Sequence, residues 1–135
     1  MLAEEIFTIT MAMIDEMNSN ATLDEDSVSE YRAKAPFILT MLQNEIVGIE
    51  NRFRSQKEYI YPVPIVDLNQ TVQVDDIKAN TLLTNGLAAN LMMHEDTELA
   101  SFFEQRYEEM KAMYLKSIPK KQIQIIDVYG SNLEY

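Results

Sequence analysis

The stretch DTELASFFEQRYEEMKAMYLKSIP, residues 96–119, decides the fold. Leu99, Phe102, Phe103, Tyr107, Met110 and Tyr114 return at spacings of about one helical turn, which gathers them into a single apolar stripe. Asp96 or Thr97 stands where an N-cap side chain would accept an orphan N–H of the first turn, and Pro119 ends the pattern. Glu98, Glu104, Glu108, Glu109 and Lys111 occupy the other face, which is therefore solvated or interfacial. The Glu108 to Lys111 spacing supplies an ion pair worth roughly a few tenths of a kcal/mol.

Moving upstream, a helix from about Asp76 to Met93 is expected, with Asp75 or Asp76 at its positive end and Ile77, Leu83, Leu87 and Leu91 along one ridge. Gly86 falls inside it. A mid-helix glycine costs roughly 1 kcal/mol relative to alanine, so beside Ala88 and Ala89 it points to close approach of a neighbouring helix. Near the N-terminus, Ile6, Phe7, Met11, Ile14 and Met17 mark a helix from about Glu4 to Met17. The turn-forming NSNATLDED follows, in which Asp26 or Ser27 can cap a long helix carrying Val28, Tyr31, Ala35, Leu39, Leu42, Ile46, Ile49 and Phe53. Pro36 removes a backbone donor there and predicts a kink or a fresh helix start. Periodicity then fails. SQKEYIYPVPIVDLNQ reads as an ordered loop with room for a short strand, and TVQV, residues 71–74, is too short to count as one and is read as loop.

With three glycines, four prolines and abundant helix formers in 135 residues, the chain reads as an all-α protein. Its architecture is a small four-helix bundle-like domain over residues 1–118 with an extended C-terminal tail over residues 119–135. In that tail Ile123 and Ile125 alternate with Gln122 and Gln124, as in a half-buried strand, yet no partner strand is evident. Such a tail folds back on its own helices or adds to a neighbouring protein.

Composition narrows the function. Eleven basic against 22 acidic residues give a net charge of -11, which disfavours binding to free nucleic acid. Absence of cysteine excludes disulfides, thiol nucleophiles and cysteine-ligated metals. His94 is the single histidine and lacks the second one of a helical zinc motif, so it reads as a surface residue near a helix end. The acidic run Asp24, Glu25, Asp26 lacks the alternating ligands and central glycine of a calcium loop and reads as a solvated turn. Gly48, Gly86 and Gly130 stand alone, without a phosphate-cradling loop. Glu4 and Glu5 occupy the place of a signal peptide's basic region, so the chain is expected to be soluble and intracellular. Met11, Met13, Met17 and Met41 are read as core fillers. No catalytic residue, cofactor or metal is expected.

The segment NGLAANLMMHEDTELASFFEQRYEEMK resembles a signature of the head-tail connector (adaptor) proteins of tailed bacteriophages and prophages. The pattern falls on Gly86, Leu87, Ala88 and Ala89, then on Glu95 and Asp96, then on Phe102, Phe103, Arg106, Tyr107 and Glu108. The ending IIDVYG, Ile125 to Gly130, is also similar to tails of that family. The resemblance implies a virion neck protein, made in the host cytoplasm, that forms a homo-oligomeric ring of about twelve copies under the portal protein. It implies docking of a stopper or tail-completion protein below, and a channel through which genomic double-stranded DNA passes without specific binding. By the same resemblance the portal-docking tail comprises Gln122, Ile123, Ile125, Ile126, Val128, Tyr129 and Gly130. Two other readings stay open: another neck or tail-completion protein, and an intracellular helical regulator that binds one protein partner.

Overall fold

The computed structural model describes residues 1–17 and 25–118, and over these the protein is all-α. Helix α1 spans Ala3–Met17 and α2 spans Glu25–Asn51. A 3-10 turn, Gln56–Glu58, opens the long connection. Then α3 (Asp76–Lys78), a π turn (Ala79–Leu83) and α4 (Thr84–Met92) run on without interruption, and α5 (Thr97–Ser117) follows. Among the described residues there are thus four helical rods, α3 to α4 forming one of them. The tail from residue 119 onward, and with it the expected second unit, lies outside the described residues.

The rod containing α4 occupies the centre and touches α1, α2 and α5. Its residues explain that position. Thr84 through Ala89, with Leu91 and Met92, are all buried, so the rod is apolar or small nearly all round, as a helix surrounded by others must be. Ile6, Phe7 and Ile14 of α1, Leu39, Leu42 and Ile46 of α2, and Leu99, Phe103 and Tyr107 of α5 close over it. Each fully buried large side chain contributes roughly 1.5 to 3 kcal/mol. Two predicted caps form: the Asp75 carboxylate accepts from the Lys78 N–H and the Asp96 carboxylate from the Leu99 N–H, each at 3.1 Å. Asp26 and Ser27, expected to cap α2, instead lie inside it, because the described helix already begins at Glu25.

Three further expectations need correction. Ile77 does not share the ridge of Leu83, Leu87 and Leu91 but is exposed. The π turn is the reason, because its extra residue swings everything before it by roughly a quarter turn relative to the ridge behind it. Side chains repair the carbonyls that a widened turn leaves poorly paired. Thr81 Oγ1 donates to the Ile77 carbonyl at 3.0 Å, Thr84 Oγ1 to that of Asn80 at 2.7 Å, and Asn85 Nδ2 to that of Thr81 at 2.7 Å. Pro36 starts no new helix, since α2 runs through it. Arg32 and Pro36 border a groove together with Val66, and Thr40 Oγ1 donates to the Pro36 carbonyl at 2.8 Å. Met17 and Met41 are exposed rather than core, while Met11 and Met13 pack against it.

The loop expectation for residues 55–74 is met apart from one antiparallel bridge between Leu2 and Thr71. Beside it, Ala3 N–H donates to the Gln70 carbonyl at 2.9 Å and Val72 N–H to that of Met1 at 3.0 Å. Val72 and Val74 are buried while Thr71 is exposed, so the alternation in TVQV is that of an extended chain lying on the core.

Candidate functional site

The two halves of the resembling segment face each other. A methyl group placed on Gly86 would lie 2.9 Å from both terminal methyls of Leu42 and 3.2 Å from a ring carbon of Tyr107. Both α2 and α5 therefore approach that glycine, as its mid-helix position leads one to expect. Leu87, Ala88 and Ala89 are buried, as are Phe103 and Tyr107. Phe102 departs from the stripe and is 39% exposed. It meets the Phe103 ring edge-on at 5.3 Å, with the Arg106 guanidinium 5.7 Å above its own ring. Arg106 Nε donates to Asn85 Oδ1 at 3.1 Å, a second link between the halves. These residues form a packed seam, and Asn85, Phe102, Phe103 and Arg106 also line a groove of about 280 Å³ with Met13 and Met17 of α1.

Two carboxylates of α2 were not singled out by sequence, yet each organises a polar cluster. Glu45 accepts from the Tyr107 hydroxyl and from Lys111 Nζ, both at 2.6 Å. Burial alone would raise its pKa, but the hydrogen bonds from Lys111 and Tyr107 outweigh that and hold it below the usual glutamate value. Burial and the same bond push the Tyr107 hydroxyl up, which keeps it a donor. Glu50 is buried and accepts from Lys78 Nζ at 3.1 Å, Arg54 at 3.3 Å and the Tyr114 hydroxyl. Lys78 also contacts Asp75; burial pulls its pKa down, and the bonds to Asp75, Tyr114 and Glu50 more than reverse this. Both carboxylates thus take bonds from side chains that lie on the neighbouring rod or on α5. The two clusters join α2 to the helices packed beside it.

The connection after α2 is organised differently. Gln43, fully buried, donates to the Val63 carbonyl at 2.9 Å and accepts from the Gln73 N–H at 2.7 Å. Thr40 Oγ1 accepts from the Ile65 N–H at 2.9 Å and lies 3.2 Å from the Ile65 carbonyl oxygen. Asn51 donates to the Ile60 carbonyl at 2.8 Å and accepts from its N–H at 3.1 Å. Side chains of one helix thus take the place of a partner strand. Gln73 reaches back to the Val63 N–H at 2.6 Å, and Gln70 to that of Val66 at 2.7 Å.

Outside this braced segment lies an apolar face. Tyr61 is 76% exposed, Val63 57%, Val66 80%, and on the adjoining strip of α2 Phe37 is 76% and Met41 60% exposed. Thr40, between Phe37 and Met41 in the helix, holds Ile65, between Val63 and Val66, so the two sets adjoin. Because Val63 and Ile65 point their polar groups inward, Pro62 and Pro64 occupy the outward edge, where they offer no N–H. That edge cannot take an added strand; it presents side chains.

The expected docking tail from Gln122 to Gly130 lies outside the described residues. The exposed face was legible in part, since Phe37 falls off the stripe set by Tyr31, Ala35, Leu39 and Leu42. Gln43, Thr40 and Asn51 gave no signal, because a polar residue on a helix reads as solvated until the segment it holds is known. His94 is exposed, and among the described residues no group of three acidic or histidine side chains is placed to hold a metal. Nor is any described helix long and apolar enough to cross a membrane. Comparison with protein-family models, curated proteins and solved structures returns no match.

Proposed function

We propose that this chain is a structural head-tail connector subunit of a phage or prophage virion, a ring-forming adaptor beneath the portal that docks a stopper or tail below. The observation that carries the reading is the exposed apolar face of Phe37, Met41, Tyr61, Val63 and Val66, whose connecting segment is bonded to the buried amide of Gln43 although these side chains lie outside the subunit's own core. Ordering such a face beforehand lowers the entropy lost on binding, as suits repeated contacts between subunits. The resemblance of residues 85–111 to connector sequences supplies the setting, and polar clusters that join helices agree with a structural role. In this reading the C-terminal tail attaches to the portal. A net charge of -11 per copy opposes crowding in the absence of a template and keeps DNA from adhering to the channel.

The test is co-expression with a candidate portal protein, followed by imaging. Rings on the portal are expected with the full chain, and none with a chain ending at Pro119 that keeps its helical circular dichroism. A single-copy complex with an unrelated host protein, and no binding to the portal, would replace the connector by a regulator.

A further inference from the structure

The two α2 glutamates that face other helices are met by the same pair of groups. Glu45 takes the Tyr107 hydroxyl and Lys111, and Glu50 takes the Tyr114 hydroxyl and Lys78. Glu104 of α5 has neither. Among the described residues no hydroxyl or cation of its own chain bonds to it, and burial and the adjacent Glu108 raise its pKa. Lys111, which attracts it, is already engaged by Glu45 at 2.6 Å and Glu108 at 3.3 Å. Glu104 and Glu108 border a groove of about 450 Å³ between α4 and α5, which Ala89, Met93, Ala100 and Ser101 also line. Met93 is half exposed there although its neighbour Met92 is buried.

We propose that this groove receives Tyr61 of a second copy of the chain, with Arg52 and Lys57 of that copy set against Glu104 and Glu108. Charge complementarity supports this occupant. From Met93 to Glu109 the chain carries Glu95, Asp96, Glu98, Glu104, Glu108 and Glu109 against Arg106, whereas from Arg52 to Val66 it carries Arg52, Arg54 and Lys57 against Glu58. Copies with a net charge of -11 associate most readily where such opposite patches meet. Among the described residues Arg32, Lys34, Arg54, Lys78 and Lys111 each pair with a carboxylate of their own chain, while the exposed Arg52 and Lys57 are in no ion pair. Asn51 bonds both backbone groups of Ile60, which sets Arg52 near the exposed Tyr61. That ring has an apolar body for the alanines and Met93 and a hydroxyl for Glu104. Thr40 and Gln43 hold the loop and Glu45 meets α5, positions about 140° to 160° apart around α2. Loop and groove therefore open on different sides of the subunit, and the contact runs head to tail from copy to copy. It deepens the connector reading, on which it rests for the presence of adjoining copies.

The test places the photoreactive ring of p-benzoylphenylalanine at position 61 of the full chain, an exposed ring in place of an exposed ring. Isotope-light and isotope-heavy protein are mixed at high concentration, irradiated and digested. Crosslinks of mixed isotope from position 61 into residues 89–108 are expected. Crosslinks confined to one isotope, mixed ones that land elsewhere, or none at all overturn the proposal. When the unlabelled partner carries Glu104→Lys, with folding checked by circular dichroism, the mixed yield should fall about fivefold, as repulsion replaces attraction. Adding Lys57→Glu to the photoreactive copy should then recover it. An unchanged yield in the first case, or no recovery in the second, also overturns the pairing. Because the readout needs no portal, portal-bound rings that lack this crosslink remove the contact and leave the connector reading, whereas crosslinked copies that never bind the portal do the reverse.

Discussion

The α4–α5 hairpin and the segment from Ser55 to Val74 are both ordered parts of one small domain, yet they are held by opposite means. In the hairpin, backbone groups are satisfied within each helix and tertiary stability comes from apolar contact at Leu87, Phe103 and Tyr107. In the segment, backbone polar groups depend on Thr40, Gln43 and Asn51 of α2, with fewer buried apolar side chains, Ile65, Leu68, Val72 and Val74 among them. The first device tolerates any side chain of suitable size and shape. The second requires particular functional groups at particular atoms, and in return it orders a stretch of chain whose outer side chains are left over for contact.

That contrast fails first if Phe103→Ala is mild. The substitution should cost about 3 to 5 kcal/mol in chemical denaturation, as for other large aromatic deletions in cores. A loss below about 1 kcal/mol would mean that the α5 stripe is not the core its burial indicates. Next in size is Gln43→Leu, which keeps bulk but strands the Val63 carbonyl and the Gln73 N–H, at a cost of about 2 to 4 kcal/mol. Its signature is local: amide exchange should accelerate at Val63, Ile65 and Gln73 before it does in α4. Uniform acceleration would show that the segment and the bundle open as one unit.

Gly86→Leu sharpens the picture of the hairpin. Leu42 and Tyr107 must both retreat, and overpacking should destabilise by about 1 to 3 kcal/mol, read as a lower melting temperature. The smallest effect is that of Glu45→Gln. The Glu45 carboxyl has a lowered pKa in the fold, so its contribution is present above the ordinary value of 4.5 and is lost as pH falls through the lowered one. With Glu45 partly exposed, the variant should lose under about 1 kcal/mol at neutral pH, and the gap should close as acid protonates the wild-type group. A gap that widens in acid would reverse that sign.

How much the sequence disclosed follows the same division. Helix positions, the Asp75 and Asp96 caps and the approach at Gly86 rest on local spacing and were legible. Ile77 was misplaced because nothing in the residues 79–83 announces a π turn; Thr81, Thr84 and Asn85 support it, but the same residues occur in ordinary helices. Met41 was read as core because methionine suits interiors, although its angular position already set it apart from Leu39 and Leu42. Glu45 and Glu50 stayed hidden because their partners, Lys78, Tyr107, Lys111 and Tyr114, come from 28 to 66 positions away.

The widened turn between α3 and α4 also makes the chain sensitive to its own length. Deleting one residue from Ala79–Leu83 would let the rod wind as a regular helix, and local backbone geometry would improve. The same rewinding would carry Ile77 toward the interior and Lys78 away from the carboxylate at position 50, leaving a buried charge short of its counter-ion. An apparent surplus of one amino acid is therefore what sets the reading frame between the entrance of the central rod and the helix beside it, so shortening here should be tolerated less well than substitution.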